Sequence, residues 1–260
     1  MQGCAMSEAG GESKIAAGGS GDPPPVERKP VVLNADDFLV KNAPDSIRYI
    51  PNFISEEEER QLLNHVYAAP KPKWDTLKNR RLQNYGGLVG QHGLIPHGDL
   101  PDWLDTIIDR VMTVRSGFPE DRRPNHVLIN EYLPQQGIMP HTDGPAFFSL
   151  ISTISLGGCT CLDFYEPMQP GQQQPLDERH VGSMLLQPRS LVFIKDRAYS
   201  ELLHGIRELS VDTVTEKIFN RPARLAVGTQ IPRRTRVSLT IRNVPQVKKL
   251  NIAGLLNRKA

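Results

Sequence analysis

Cysteine is scarce in this 260-residue chain. Only Cys4, Cys159 and Cys161 occur, too few for a disulfide framework. That fits a reducing compartment, with nucleus and cytoplasm the expected location. No run of about 18 apolar residues is present, which excludes a membrane-spanning helix, and the N-terminus lacks the basic-then-apolar order of a secretory signal. A soluble protein with no membrane partner is expected. Charge of one sign is also missing: 31 Lys and Arg face 29 Asp and Glu, a net charge of +2. Overall charge therefore cannot carry binding to a polyanion, and any nucleic-acid contact must come from a local basic patch. The short basic clusters Lys78–Arg81 and Arg233–Arg236 fall inside the expected folded region, so neither reads as a nuclear signal. Large apolar residues are nearly absent from residues 1–30, which are rich in Gly, Ser, Ala and Pro. Such a segment buries too little surface to offset its ordering entropy and is expected to be a disordered tail.

Beyond that tail, hydrophobic residues make up 38% of the chain, enough for one domain with a core. Ser55 and Glu58 form a capping box, and Glu56–Glu59 put negative charge at the positive end of a helix. Leu62, Leu63 and Val66 give it an apolar stripe, and Pro70 stops it. A second helix is expected from Asp102 to Arg115, with Leu104, Ile107, Ile108 and Val111 on one face. From Val127 the pattern changes to short β-branched runs broken by Gly and Pro. Strands are expected at Val127–Tyr132, Ser149–Leu156, Thr160–Tyr165, Ser183–Leu186, Leu191–Ile194, Leu225–Ile231 and Arg236–Val244. Two helices followed by seven short strands predict a mainly β fold with N-terminal helices, a β-sandwich or jelly roll.

The chemistry concentrates in Asn130–Asp143, NEYLPQQGIMPHTD. His141 and Asp143 are two apart, so on a strand they share a face. An imidazole and a carboxylate make two thirds of the 2-His-1-carboxylate set of non-haem Fe(II) oxygenases, and His204, in LLHGI, is the candidate third ligand. Three ligands leave positions open for a 2-oxo acid and O2. A structural zinc site is closed by four ligands, but a catalytic zinc site also has three, so the triad alone leaves zinc open. The bland alternative is a structural histidine. A second stretch, Arg236–Arg242 (RVSLTIR), alternates: Val237, Leu239 and Ile241 face one way, Arg236, Ser238, Thr240 and Arg242 the other. Either the polar side is a solvated sheet face, or its two guanidiniums line a narrow cavity and take a carboxylate. Asn130 and Tyr132, again on one face, add further donors. Cys159 and Cys161 read as small buried hydrophobes, His65 and His126 as structural, and His92 and His97 as exposed residues or phosphate contacts.

The ordered set Asn130-x-Tyr132, His141-x-Asp143, His204 and Arg236-x5-Arg242 resembles the AlkB family of Fe(II)/2-oxoglutarate dioxygenases over roughly residues 47–244. The resemblance implies a double-stranded β-helix (jelly roll) with helices buttressing one sheet. It implies Fe(II) on His141, Asp143 and His204, and Arg236 on the distal carboxylate of 2-oxoglutarate. Arg242, Asn130 and Tyr132 would hold its other end or complete the pocket. Decarboxylation to succinate would accompany hydroxylation of an N-methyl group, which leaves as formaldehyde. In such enzymes a lid ahead of the jelly roll contacts a flipped nucleotide. The matching segment is 71–87, where Lys71, Lys73, Lys78, Arg80 and Arg81 interleave with Trp74 and Tyr85, and Gln83, Asn84 and Tyr85 offer hydrogen bonds to a base edge. A surface loop with two anchoring aromatics is the plain alternative. The resulting layout is a tail (1–30), a helical buttress and lid (31–126), a dioxygenase core (127–245) and a C-terminal tail (246–260). The stretch between His204 and Arg236 is longer than the family's and is expected to cover the cosubstrate entrance or reshape the substrate mouth. The expected partner of a monomeric enzyme is methylated single-stranded RNA or DNA, RNA being preferred. A protein hydroxylase or demethylase, or a nucleic-acid reader with little turnover, are the alternatives.

Overall fold

A computed structural model describes residues 32–248 except 92 and 172. The expected N-terminal tail and residues 249–260 of the expected C-terminal tail lie outside the described residues. Helix α1 spans Glu56–Ala68. Ser55 Oγ accepts from the Glu58 amide at 3.2 Å and the Glu58 carboxylate accepts from the Ser55 amide at 2.7 Å, so the capping box forms. Helix α2 spans Asp102–Met112, three residues shorter than expected. Arg115 is withdrawn from it because its backbone pairs instead with Leu33 and Ala35, at 2.9 and 2.8 Å.

Among the described residues there are fifteen strands, numbered in chain order. They are β1 (Ile47–Ile50), β2 (Asp75–Leu77), β3 (Arg80–Tyr85), β4 (Gly87–Gly90), β5 (Gly93–Pro96), β6 (His126–Tyr132), β7 (Ile138–His141) and β8 (Leu150–Gly157). Then come β9 (Thr160–Tyr165), β10 (His180–Leu186), β11 (Leu191–Lys195), the short helix α3 (Asp196–Ser200), β12 (Leu203–Ile206), β13 (Val211–Thr213), β14 (Gln230–Pro232) and β15 (Arg236–Arg242). A seven-stranded sheet runs β1-β11-β8-β15-β6-β3-β2 and a four-stranded sheet runs β10-β9-β12-β7. Hairpins β4-β5 and β13-β14 stand apart. All strand pairs are antiparallel. The mainly β jelly roll is therefore the observed class.

Six of the seven expected strands form within three residues of their expected bounds. The seventh, Leu225–Ile231, shrinks to Gln230–Pro232. Leu225 and Thr229 bond back to Pro222 and Ala226 in turns, and Gly228 sits at φ +90°, so the chain there cannot extend. The large sheet also takes β1, β2 and β3 from before residue 126, so the segment expected as helical buttress and lid supplies three strands of the core sheet.

The site's position follows from two apolar layers. On one face of the large sheet, Val127, Ile129, Ile154, Leu156, Val237, Leu239 and Ile241 meet Leu62, Val66, Leu104, Ile108 and Val111 of the two helices. On the other, Tyr132, Val192 and Ile194 meet Leu162, Phe164, Met184, Leu186 and Ile206 of the small sheet. The stretch 207–235 does not cover the cavity between the sheets. Its Val214 and Ile218 pack on Cys161 and Leu185 at the back of the small sheet, because an outward row of apolar side chains is there to be covered. Cys161 is thus the small buried hydrophobe expected, and burial pushes its thiol pKa up. Among the described residues no helix is long and apolar enough to cross a membrane.

Leu239 is fully buried at the centre of β15, between the sheet and both helices. Leu239→Ala should cost about 2–5 kcal/mol, read as a lower denaturant midpoint at unchanged m-value.

Candidate iron and cosubstrate site

His204 on β12 is the register partner of His141 on β7, which sets the two imidazoles on neighbouring strands with ring centroids 4.6 Å apart. Pro140 is tolerated beside His141 because β7 is the edge of its sheet. Asp143 reaches the pair by a route other than the expected one. The strand ends at His141, so Asp143 lies in the loop that follows, and strand alternation does not aim it. Instead, Arg242 Nη1 crosses from the large sheet and donates to Asp143 Oδ1 at 2.7 Å, while Oδ2 lies 3.5 Å from His204 Nε2. Tyr199 of α3 donates to the Gly144 carbonyl at 2.8 Å and steadies the same loop. One ligand atom from each of His141, Asp143 and His204 lies within 4.8 Å of the others, and no other such group of three occurs among the described residues.

The donor set suits a divalent metal. His141 Nδ1 donates to the Met139 carbonyl at 2.8 Å, which leaves the Nε2 lone pair free. Burial holds the His204 pKa down at about 4, against the opposing pull of Asp143, so its imidazole is neutral at pH 7. Its buried Nδ1 has no partner.

The alternation of β15 is realised, and its polar face is not solvated. Arg236 is 3% exposed and Arg242 6% exposed. Register sets Arg236 beside Tyr132, Ser238 beside Asn130, and Arg242 beside His126, all on the inner face. Arg242 is occupied by Asp143, so it holds a candidate metal ligand. Arg236 donates only to Ser155 Oγ, at 2.9 Å, and no carboxylate pairs with it among the described residues. Burial lowers its pKa to about 10, which still leaves a cation at pH 7. A buried unpaired guanidinium is costly and calls for an anion. Arg236, Ser238, Arg242, Asn130 and Tyr132 line one cavity of about 550 Å³ together with His141, Asp143 and His204, and much of its remaining wall is apolar: Leu128, Ile151, Leu162, Leu186, Ile194 and Ile206. The arrangement fits a metal and a dianionic cosubstrate side by side.

No protein-family model matches the chain. A Danio rerio protein named "Probable RNA/DNA demethylase ALKBH6" is 44% identical over 225 residues, covering 85% of this chain and 95% of that protein. The chain belongs to the AlkB family of 2-oxoglutarate- and Fe(II)-dependent oxygenases. A Xenopus tropicalis protein, "tRNA (carboxymethyluridine(34)-5-O)-methyltransferase alkbh8", is 28% identical over 224 residues, 80% of this chain but 33% of that larger protein. The solved structure of OsALKBH1 matches at a TM-score of 0.50 and 11% identity, over 76% of this chain and 97% of that one, a likeness of fold.

In this AlkB-family chain most of the expected lid residues do not face the cavity. Segment 71–87 is largely the β2-β3 hairpin, and its alternation divides the residues between two faces. Gln83 is fully buried, donates to the Val66 carbonyl at 2.8 Å and accepts from Tyr85 OH at 2.9 Å, so it ties α1 to the sheet and is out of reach of a base. Arg81 pairs with both oxygens of Glu131 at 2.6 and 2.9 Å and covers the Trp74 ring at 4.1 Å. Lys73 donates to the Asn84 carbonyl at 2.5 Å and sits over the Tyr85 ring, whose edge meets Trp103. Gln83 and Tyr85 thus pack on the helices, and Lys73, Trp74 and Arg81 pack around them. Arg80 and, at the hairpin turn, Lys78 line the cavity.

A second opening of about 620 Å³ shares Leu128, Asp143 and Arg242 with the first. It is walled by Asn84 of β3, by Leu88–Gln91 at the β4-β5 hairpin and by Gly144–Phe147. His126 lines it too, and sequence reading missed this although His126 is in phase with Asn130 and Tyr132. Its Nε2 donates to Asn84 Oδ1 at 2.7 Å and Arg242 stacks on Phe147 at 4.1 Å. His97 is exposed, and His92 lies outside the described residues.

Burial, reinforced by Arg242, lowers the His126 pKa from 6.5 to about 3. The unfolded chain therefore binds a proton there before the folded one does. Its stability contribution is present above about pH 6.5 and is lost as pH falls toward 3. His126→Gln should flatten the acid limb of a stability-against-pH curve. Gln83→Ala should cost about 1–3 kcal/mol by denaturation while leaving oligonucleotide affinity unchanged.

Proposed function

We propose that this chain demethylates N-methylated bases in single-stranded RNA or DNA, using Fe(II), 2-oxoglutarate and O2. The observation that carries the reading is the pairing, in one cavity, of the His141–Asp143–His204 donor set with the unpaired buried cation of Arg236. The name carried by the Danio rerio relative supports the substrate class.

Bound Fe(II) and 2-oxoglutarate would supply oxidative decarboxylation coupled to hydroxylation of a C–H bond. The chain's own residues prepare for it. His141 and His204 offer imidazole nitrogens, and Asp143 offers one oxygen because Arg242 holds the other. Arg236 would take the distal carboxylate, with Tyr132 and Asn130 beside it. The leucine and isoleucine wall keeps water out, which strengthens each of these charge interactions. The opening beside Asp143 is where a methylated base would enter, with Asn84, Gln91 and Phe147 around it. Nucleic acid is read from this opening and not from the outer hairpin face, whose cations are already engaged.

Fe(II)-loaded protein given 2-oxoglutarate and a panel of methylated oligonucleotides and histone-like peptides should release succinate and formaldehyde with an oligonucleotide. His141→Ala and Asp143→Ala should each lose more than about 100-fold in rate. Formaldehyde from the peptides alone, or protein that binds neither metal nor 2-oxoglutarate, would overturn the reading.

A further inference from the structure

Arg80 differs from its neighbours Lys73 and Arg81, and from Lys78 at the hairpin turn, which also lines the cavity but is exposed. Lys73 and Arg81 turn to the helix side and are engaged there. Arg80 turns inward, is half-buried, and has no carboxylate partner among the described residues. Register fixes its place. Arg81 is opposite Glu131 and Tyr132 is opposite Arg236, so one row on the inner face runs Arg236, Tyr132, Arg80 across β15, β6 and β3. Strands lie about 4.8 Å apart, so the two arginine backbones are about 10 Å apart, and their long side chains can both reach a small dianion between them. Burial raises the Tyr132 pKa while the charges of both Arg236 and Arg80 pull it down, as expected for a phenol between two guanidiniums.

The Arg80 side chain is also aimed. Its Nε donates to Asn130 Oδ1 at 3.0 Å, which fixes the plane of the guanidinium and leaves the terminal N–H groups for another acceptor. The hairpin tip is tied down over the cavity. The Asn79 carbonyl accepts from the Gly137 amide at 3.3 Å and the Asn79 side chain donates to Glu208.

We propose that Arg80 is a specificity-determining residue for the cosubstrate: a second guanidinium for the distal carboxylate of 2-oxoglutarate that favours dicarboxylic over monocarboxylic oxo acids, and not a contact to nucleic-acid phosphate. The inference rests on the cavity being the 2-oxoglutarate site.

The test is calorimetric binding of 2-oxoglutarate and of 2-oxobutyrate to the full chain loaded with Mn(II), a redox-silent metal. It compares wild type, Arg80→Ala, Arg80→Lys and Arg236→Ala, with oligonucleotide binding followed by fluorescence anisotropy. Arg80→Ala should weaken 2-oxoglutarate binding about tenfold and leave 2-oxobutyrate and oligonucleotide binding unchanged, with Arg80→Lys intermediate. An unchanged 2-oxoglutarate affinity, an equal loss for both acids, or a loss confined to the oligonucleotide overturns the assignment. Thermal melts of each variant identify any loss caused by unfolding, and in that case Arg80→Lys decides. Wild-type binding abolished by Arg236→Ala keeps the cosubstrate reading whatever Arg80→Ala does. Wild type that fails to bind 2-oxoglutarate ends both.

Discussion

The ion pair between Asp143 and Arg242 joins the two sheets at the point where the chemistry has to happen. Asp143 follows an edge strand of the small sheet, and Arg242 ends the central strand of the large one. Both side chains are buried, so breaking the pair by removing one partner would strand a charge in a poorly solvated place. The pair therefore acts on the fold and the site together. It fixes the sheets at a set separation, and it turns one carboxylate oxygen toward His204 by occupying the other. A loop carboxylate left to itself would sample many rotamers, and a metal site needs one.

β15 shows how one short sequence serves both layers. Val237, Leu239 and Ile241 close the core against the helices, while Arg236, Ser238, Thr240 and Arg242 line the cavity. The apolar half anchors the strand rigidly, and that rigidity passes to the guanidiniums because successive side chains of a strand cannot turn independently. A register slip of one residue would put the arginines into the helix interface and the leucine into the cavity. Apolar packing thus aims the charges. The same logic holds on β6, where Ile129 faces the core and Asn130 and Tyr132 face the site.

This coupling explains what could be read from the sequence. The alternation of Arg236–Arg242 and the run from Asn130 to Asp143 carried the cavity face, the two β15 arginines and the candidate ligands, because period-two patterns are local. Strands such as β7 and β12 did not show, since four residues containing Pro or Gly carry no period of their own and form only as β12 pairs with β9 and β7 with β12. The hairpin misled for a related reason. From Lys73 to Tyr85 the chain interleaves four cations with Trp74 and Tyr85, which reads as a binding loop. Once β3 pairs with β6, the alternation sends odd-numbered residues to the helices and Arg80 to the cavity. Composition could not tell these faces apart, because the partner strand decides them.

Charge gives the last step. Over the chain, cations exceed anions by only two, and nothing in that balance points to an anionic ligand. Within the cavity wall, Lys78, Arg80, Arg236 and Arg242 face a single carboxylate, Asp143, and one of those guanidiniums is already committed to it. The remaining positive charge sits among leucine and isoleucine side chains, where screening is weak and field lines are focused. A small dianion gains more there than at any site on the exposed surface, where charges are solvated and largely paired. The neutral His204 imidazole adds no repulsion to a metal cation, and an arriving metal would deepen the attraction for the dianion without altering the wall that holds it. Selectivity of this kind comes from where a few charges are buried, so the near-neutral composition of the whole chain and a strongly cationic cavity are consistent.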